Sequence, residues 1–293
     1  MAKSSVVPIG VFDGVHRGHQ VVLRHAVDAA RDRDARVVVV TFHPHPTAIL
    51  APGHVPPMLT TLKRRLDLLH EHGADDVLVL EFTRELARQT ADEFIDQVLV
   101  GQLSAVQIVV GQNFRFGHRA SGDVALLRKH DLAVDDVPLL SDPSPVSSTM
   151  VRDFVVHGDV RGAAGALGRL HLVEGPVVRG DARGRALGFP TANVAVDEGI
   201  AVPQDGVYAG WLTRADGTRI KAAISVGTNP TFDGVERRVE AYAIDVGHDL
   251  ELYDEHVVVE FASRLRGMER FADIEELIDQ MGRDVAVTRD TLG

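Results

Sequence analysis

Residues 6–19 read VVPIGVFDGVHRGH and combine a short apolar run, a turn with two glycines and a pair of histidines. The apolar run Val6–Val11 predicts a strand, and a helical pattern covers His19–Arg31. Arg36–Phe42 follows and is apolar on both faces, which is typical of a buried parallel strand. A strand, a turn, a helix and a second strand in this order predict a βαβ unit.

The same alternation continues through the first half of the chain. Strands and helices that alternate predict a doubly wound α/β sheet, in which ligands bind beyond the carboxyl ends of the strands. The further predicted elements are helices at Thr61–His72, Thr90–Leu99 and Asp123–Lys129 and strands at Val77–Leu80 and Ala105–Gly111.

The second half has a different pattern. Short alternating strands separated by Gly- and Pro-containing turns predict an antiparallel β-barrel or sandwich. A helical stretch at Ser148–Leu167 with a break at Gly158 precedes them, and a helix at Ile274–Leu292 follows. We therefore expect two domains, 1–170 and 171–293. The predicted strands are Leu172–Arg179, Val207–Leu212, Ile220–Val226, Val239–Ile244 and Val257–Phe261.

The composition indicates a globular protein and excludes several classes. The chain has 293 residues, 31 Lys+Arg against 42 Asp+Glu, a formal charge of −11 and no cysteine. This length suggests two domains, and the acidic charge argues against nucleic acid as a partner. Without cysteine there is no disulfide or thiolate chemistry. No apolar run predicts a membrane span or a signal peptide, so we expect a cytoplasmic protein. An oligomer is neither predicted nor excluded.

The distribution of basic residues limits how phosphate could be bound. None of the lysines follows a glycine, so the Gly-Lys-Ser/Thr of a P-loop is absent. The cluster Lys63–Arg65 indicates a solvated helix face rather than a phosphate-binding track.

The histidines of the first stretch are candidates for catalysis. His16 and His19 are three residues apart, which places them on one side of a helical turn. Gly14 and Gly18 permit close approach of the backbone, and a helix N-terminus attracts phosphate. Imidazoles at this position can donate hydrogen bonds to charge that develops during phosphoryl transfer. The alternatives are two exposed helix-start residues or a zinc site, but the Glu of a His-Glu-x-x-His motif is missing.

Four segments in the first half resemble bacterial bifunctional riboflavin kinase/FAD synthetases. His16-x-Gly-His19 looks like the signature of the nucleotidyltransferase superfamily, and the longer string Gly10–His19 resembles the opening motif of this family. The other segments occur in the family's order and are TFHPHP at 41–46, GQNFRFG at 111–117 and VSSTMVR at 146–152. The match spans nearly the whole chain, although His43 stands where the family has an acidic residue.

This resemblance implies an adenylyl transfer in the first domain. FMN would attack the α-phosphorus of ATP, with His16 and His19 stabilising charge and Mg²⁺ neutralising the polyphosphate. Phe42 and Arg115 would contact the flavin. The expected ATP- and phosphate-binding residues are Gly10, Phe12, Gly14, Gly18, Asn113, Ser148, Thr149 and Arg152.

Each of these residues also has an ordinary structural interpretation. Ser148 would cap a helix, Arg152 would be solvated, Asn113 would form a turn and Phe42 would pack in the core. Hydroxyls at a helix start and a planar guanidinium one turn later nevertheless suit a polyphosphate.

The second half contains a glycine- and arginine-rich loop followed by a specific motif. Gly180, Arg183 and Gly188 belong to a stretch whose backbone N–H groups can wrap phosphates, although an exposed hairpin has the same composition. The string GFPTAN at 188–193 resembles the Pro-Thr-Ala-Asn motif of riboflavin kinases. The resemblance implies that Thr191 and Asn193 bind Mg²⁺ and ATP phosphates; the alternative is that Thr191 is a plain strand residue.

The same family resemblance extends to SVGTNPTF at 225–232 and RVEAY at 238–242. It implies that Glu240 is the general base for the ribityl hydroxyl and that Arg266 contacts the flavin or, as an alternative, phosphate. The alternative for Glu240 is a surface carboxylate paired with Arg238. Two departures from the family pattern are Leu170-His171 at the domain junction and Asp254 in place of a turn glycine.

The sequence therefore predicts an enzyme that phosphorylates riboflavin to FMN in its second domain and adenylylates FMN to FAD in its first. Two alternatives remain open. One is an enzyme with a single live activity and another phosphorylated acceptor, and the other is a flavin-binding carrier that keeps the motifs. Turnover of flavin with ATP distinguishes the enzyme from the carrier.

Overall fold

The computed structural model describes residues 4–138, 140–141, 145–179, 189–231, 234–246 and 251–293, with the backbone alone at 229–231 and 234–236. The chain forms two compact units, Met1–Pro56 with Thr61–Ser148 and Pro57–Thr60 with Thr149–Gly293. Residues 149–170 are thus grouped with the second unit, whereas we expected them in the first domain. The functional boundary near residue 170 stays a prediction.

The first unit is built on a five-stranded parallel sheet. Its order is β3-β2-β1-β4-β5, so the chain moves outward from β1 on one side and then returns to add strands on the other. This order confirms the doubly wound sheet. The strands are β1 (Ser5–Pro8), β2 (Arg36–His43), β3 (Asp76–Glu81), β4 (Ala105–Gly111) and β5 (Ala133–Val137).

Helices cover both faces of this sheet. Val37 and Val39 belong to one apolar cluster and Val38 and Val40 to another, as strand alternation requires. The helices of this unit are α1 (Arg17–Asp32), α2 (Pro46–Leu50), α3 (Leu62–Glu71), α4 (Arg84–Arg88), α5 (Ala91–Phe94), its π-helical continuation Ile95–Gln102, and α6 (Val124–Lys129).

Local signals explain where several of these helices begin. Asp123 accepts a hydrogen bond from the Leu126 N–H and caps α6, the helix that the sequence predicted at Asp123–Lys129. Thr90 and Glu93 form a reciprocal capping box before α5. The edge strand β5 was not predicted because only Val137 is buried in it, so it lacks an apolar pattern.

The second unit contains a closed barrel of antiparallel strands in the order β10-β7-β6-β11-β8-β9. This confirms the barrel, with β7 as the strand that periodicity did not predict. Closure brings backbones close together: a Cβ on Gly210 would lie 1.9 Å from the Glu260 carbonyl oxygen. The strands are β6 (His171–Val178), β7 (Thr191–Val194), β8 (Gly206–Thr213), β9 (Arg219–Thr231), β10 (Gly234–Ala243) and β11 (His256–Arg266).

The remaining α-helices of the described residues are α7 (Ser148–Val156), α8 (Val160–Leu167) and α9 (Ile274–Leu292). Short 3-10 helices lie at Asp13–Val15, Pro52–His54 and His118–Ala120. Gly158, at φ 74°, separates α7 from α8, as predicted. The short segment Pro57–Thr60 joins the second unit through the backbone, because Met58 donates to the Gly199 carbonyl (2.6 Å) and accepts from the Ala201 N–H (2.8 Å).

Both departures from the family pattern fit the barrel. Asp254 takes the left-handed conformation, at φ 63°, that the expected glycine would provide. His171 is 1% exposed, and its Nε2 donates to the Ala201 carbonyl (2.9 Å). Burial lowers the pKa of His171 to about 4 from its ordinary 6.5, and Arg169 contributes to the same direction.

This lowered pKa predicts an acid-sensitive barrel. Below about pH 6.5 the unfolded chain protonates His171 while the folded chain does not, so stability falls until the pH reaches about 4. A shift of this size corresponds to about 3 kcal/mol. We expect His171→Gln, which keeps a donor for Ala201, to lose less stability than the wild type between pH 7 and pH 4.

The single tryptophan of the chain, Trp211, lies in β8 and makes this measurable. Its fluorescence during denaturant titration follows unfolding of the barrel. Equal pH dependence in the wild type and His171→Gln would contradict the prediction.

Candidate active sites

Two of the predicted motifs lie at the topological switch point of the parallel sheet. The chain leaves β1 toward β2 and later enters β4 on the other side of β1. The loop Gly10–His16 follows β1, and the loop that contains Asn113 follows β4. Both are therefore at the carboxyl ends of adjacent strands, where open α/β sheets bind ligands.

The loop after β1 holds an unusual backbone. Phe12 (φ 53°) and Val15 (φ 40°) are left-handed without being glycine, and for a β-branched residue this is a genuine outlier. Such conformations persist only where surrounding structure fixes them. Three carbonyls of the loop accept side-chain hydrogen bonds: Val11 from Arg65 and Thr41, Asp13 from Ser148, and Val15 from Gln20.

His16 and His19 meet at the end of this loop. The two imidazoles are stacked with centroids 3.7 Å apart. His16 also caps α1, because its Nδ1 accepts from the His19 N–H (3.4 Å), and this places the proton of the neutral ring on Nε2. A Cβ on Gly18 would lie 3.1 Å from His16 Cε1, so glycine at this position leaves room for the ring.

The environment of His19 disfavours a charged imidazole. Burial holds its pKa well below the ordinary value, and His16 and Arg65 act in the same direction. Phe12 packs edge-on against the His19 ring at 5.1 Å. The ring is thus neutral in the free protein and is placed to donate hydrogen bonds or to gain a proton when an anion arrives.

Arg65 is a functional candidate that sequence reasoning missed. We interpreted Lys63–Arg65 as a solvated face, and this is wrong for Arg65, which is 1% exposed. Helical spacing carried the signal, because Arg65 shares a face of α3 with the buried Leu68 and Leu69.

An aromatic cavity of about 770 Å³ lies beside the same loop. Gly10, Val11 and the predicted flavin residue Phe42 line it. Five phenylalanines line it in all, and four arginines accompany them; these residues are Phe42, Phe82, Phe94, Phe114, Phe116, Arg84, Arg88, Arg115 and Arg119. The cavity therefore suits a flat aromatic group that carries negative charge.

The remaining predicted residues of the first motif set occupy different surroundings. Phe12 is buried in the core, so its side chain packs rather than faces solvent. Asn113 is exposed, and Ser148 donates from Oγ to the Asp13 carbonyl (2.9 Å). Thr149 and Arg152 belong to the second unit, where Arg152 Nε donates to the Pro57 carbonyl (2.8 Å).

In the barrel, three predicted residues come together on the outer face of two paired strands. Ala192 and Ala241 point into the core, so Thr191, Asn193 and Glu240 point outward. Asn193 and Glu240 are opposite each other in the ladder, and Thr191 Oγ1 donates to Glu240 Oε2 (3.3 Å). The strand interpretation of Thr191 and the functional one are therefore compatible.

Glu240 lines two separate cavities of the barrel unit. One, of about 190 Å³, is lined largely by apolar side chains such as Phe189 and Tyr242. The other, of about 250 Å³, is polar and includes Arg238 and Thr228. A carboxylate shared by an apolar and a polar cavity is placed to act between two substrates of different chemistry.

Arg266 lines the apolar cavity but is held by an ion pair. Its Nε and Nη2 donate to the two carboxylate oxygens of Asp284, at 3.0 and 2.7 Å. Asp284 is 7% exposed and also accepts from Gln280. Sequence reasoning missed Asp284 because a carboxylate on an amphipathic helix ordinarily faces water.

The donors near Glu240 fit a hard cation. Thr191 and Asn193 supply hydroxyl and amide oxygens beside a carboxylate, the ligand chemistry that Mg²⁺ takes together with phosphate oxygens. Within the described ranges, no group of three His, Cys, Asp or Glu side chains is placed to hold a metal ion. Gly180, Arg183 and Gly188 lie outside the described residues.

Comparison with known proteins identifies the family of each part of the chain. The FAD synthetase family model matches residues 1–150, and the riboflavin kinase model matches residues 167–292. A bifunctional riboflavin kinase/FMN adenylyltransferase of Escherichia coli is 35% identical and covers 99% of this chain and 94% of its own. One of Bacillus subtilis is 32% identical and covers 96% and 90%. These matches confirm the resemblance that the motifs indicated.

A solved structure also matches over nearly the full length. A crystal structure from Streptococcus pneumoniae, described as a macrolide-efflux protein, superposes with a TM-score of 0.92 at 34% identity and covers 99% of this chain and 95% of its own. In the part of the chain that is described, no helix is long and apolar enough to cross a bilayer. With its FAD synthetase half followed by its riboflavin kinase half, the chain belongs to the bifunctional riboflavin kinase/FMN adenylyltransferase family of enzymes.

Proposed function

We propose that this enzyme converts riboflavin to FAD in two steps, each in its own part of the chain. The region 171–293 phosphorylates riboflavin with ATP, and the region 1–170 adenylylates the FMN that results. Both steps use ATP, Mg²⁺ and a flavin, and nucleic acid is not a proposed partner. We expect the enzyme to act in the cytoplasm.

The kinase assignment rests on the position of Glu240 between the apolar and the polar cavity. The isoalloxazine would occupy the apolar cavity, and the nucleotide would occupy the polar one. Glu240 would take the proton of the ribityl 5′-hydroxyl while the hydroxyl oxygen attacks the γ-phosphorus of ATP and ADP leaves. Thr191, which donates to the same carboxylate, orients it before substrate binds.

Thr191 and Asn193 would hold Mg²⁺ when it is bound together with ATP. The ion supplies neutralisation of charge on the phosphate oxygens. Arg266 supports this site indirectly, because the bidentate Asp284 pair fixes its guanidinium against the wall of the apolar cavity.

The adenylyltransferase assignment rests on the loop that carries the stacked histidines, since Gly10 and Val11 of this loop also line the aromatic cavity. The flavin ring would bind among the phenylalanines, and its phosphate would face the cationic side chains. A phosphate oxygen of FMN attacks the α-phosphorus of ATP, and pyrophosphate leaves. His16 and His19 donate hydrogen bonds to the charge that accumulates in the transition state.

Replacing the proposed base separates the two steps. We expect Glu240→Gln to lower kcat for FMN formation by about 10²–10⁴-fold, because the amide cannot accept the hydroxyl proton. Conversion of supplied FMN to FAD should be unchanged. Chromatographic rates measured with each flavin separately test this.

The matched control is Glu260→Gln. Glu260 is a barrel carboxylate that pairs with Arg219 and lines neither cavity. It should leave both rates unchanged. Equal losses in the two variants would remove the special role of Glu240.

The opposite separation is expected from the histidine motif. His16→Asn keeps a side chain that can cap α1 but removes the imidazole, so FAD formation should fall by about 10²–10³-fold while FMN accumulates. His25→Asn is the control, because His25 is on the same helix and pairs with Asp135 at the surface. An unchanged FAD rate in His16→Asn would reject the proposed site.

A further inference from the structure

Arg65 occupies an unusual position for an arginine. Its guanidinium is buried beneath the loop after β1 and is 1% exposed. Nη1 donates to the Val11 carbonyl (2.8 Å) and Nη2 donates to the Phe42 carbonyl (3.2 Å). Burying a cation is costly, and a site that keeps one requires compensation from charge or hydrogen bonds. Asp13 acts on this cation from the same loop and raises its pKa against the effect of burial.

Arg65 donates to two carbonyls, and both belong to residues next to the proposed binding sites of the substrates. Val11 lies in the loop that leads to His16 and lines the aromatic cavity. Phe42 lies at the end of β2 and lines that cavity too. One planar guanidinium thus fixes the ends of two neighbouring strands, which a lysine with a single nitrogen would do less well.

The loop that follows Val11 needs such a support. Phe12 and Val15 hold left-handed conformations that an unsupported chain would leave. Thr41 Oγ1 also donates to the Val11 carbonyl (3.0 Å), and the Gly10 N–H donates to the Val40 carbonyl (3.1 Å). The loop is therefore attached to β2 at Gly10 and Val11, and Arg65 is the charged member of this attachment.

We propose that Arg65 is a positioning residue of the adenylyl-transfer site, whose buried guanidinium fixes the histidine loop against β2 and keeps a positive charge next to the His16–His19 pair. This inference rests on the proposed adenylyltransferase function. Arg65 is not a catalytic residue, because it acts through the loop and through the histidines.

The charge of Arg65 gives the proposal a second consequence. Burial lowers the pKa of His19 most, and two titratable groups act in the same direction, His16 from the same turn and Arg65 from α3. His19 Nδ1 and Arg65 Nε are buried atoms without a partner among the described residues. A fixed cation beside a desolvated imidazole favours the neutral form of the imidazole. The imidazole then gains a proton only when polyphosphate binds.

Two variants separate geometry from charge. Arg65→Lys keeps the cation but not the two-carbonyl contact, whereas Arg65→Met removes both. We expect kcat for FAD formation to fall in both variants, by about 10²-fold in Arg65→Met, because misplacement of reacting groups is costly. The His19 imidazole, followed by NMR titration of labelled histidine, should keep its lowered pKa in Arg65→Lys and titrate at higher pH in Arg65→Met.

Controls distinguish failure of this inference from other failures. Riboflavin phosphorylation by the same chain should be unchanged, and limited proteolysis of the first unit, compared with the wild type, reports whether that unit is folded. Lys63→Met removes an exposed cation of the same helix, paired with Asp67, and should change neither rate nor titration. If the wild type makes no FAD, the proposed function itself has failed.

The inference is overturned if Arg65→Met makes FAD at the wild-type rate. It is also overturned if the rate falls while the His19 titration in Arg65→Met stays at its wild-type position, because Arg65 would then be a structural residue only. If the first unit of Arg65→Met is unfolded, Arg65→Lys decides the question, and full activity in Arg65→Lys contradicts the proposal.

Discussion

Backbone carbonyls of the loop after β1 accept hydrogen bonds from side chains elsewhere in the first unit. These hydrogen bonds constrain the conformation of the loop that leads to the histidine pair. Arg65 and Thr41 hold Val11, and Ser148 holds Asp13. Left-handed conformations at Phe12 and Val15 cost about 1–3 kcal/mol each and persist because the surrounding structure fixes them. The stacked imidazoles, the cap of α1 and the wall of the aromatic cavity all follow from this one arrangement.

In the barrel, the alternation of side chains along the strands positions the candidate site residues. The barrel interior is filled by apolar side chains, so alternate residues of β7, and of β10 from residue 237 on, are directed outward. Thr191, Asn193 and Glu240 are outward residues of two adjacent strands, and their proximity needs no loop to create it. The candidate site residues of the two units are therefore positioned differently, in the first unit by a constrained loop and in the second by the regular ladder.

Much of this organisation could be predicted from the sequence. Valines on both faces of β2 indicated a buried parallel strand, and the motif residues from His16 to Glu240 indicated the family that the comparisons confirm. Periodicity missed β5, which is polar at a sheet edge, and β7, which has only four residues. In both cases pairing with neighbouring strands defines the element. The sequence pattern of a single segment carries no information about that pairing.

Side-chain environments were harder to predict than elements. Arg65 and Asp284 are charged residues on amphipathic helices. The sequence placed Arg65 on a solvated face and did not single out Asp284, whereas each is buried against specific partners. Phe12 belongs to the family motif, yet its side chain serves the core. Desolvation and pairing depend on what packs against a residue, so the shifted pKa of His19 has no signature in the sequence.

The most direct test of the account is a chromatographic time course with purified protein, riboflavin, excess ATP and Mg²⁺. Two linked activities predict that FMN rises first and that FAD follows as FMN is consumed. FMN that accumulates without FAD would contradict the account of the first unit. Riboflavin that stays bound and unchanged, with FMN also unconverted when supplied, would contradict the account as a whole and indicate a flavin carrier.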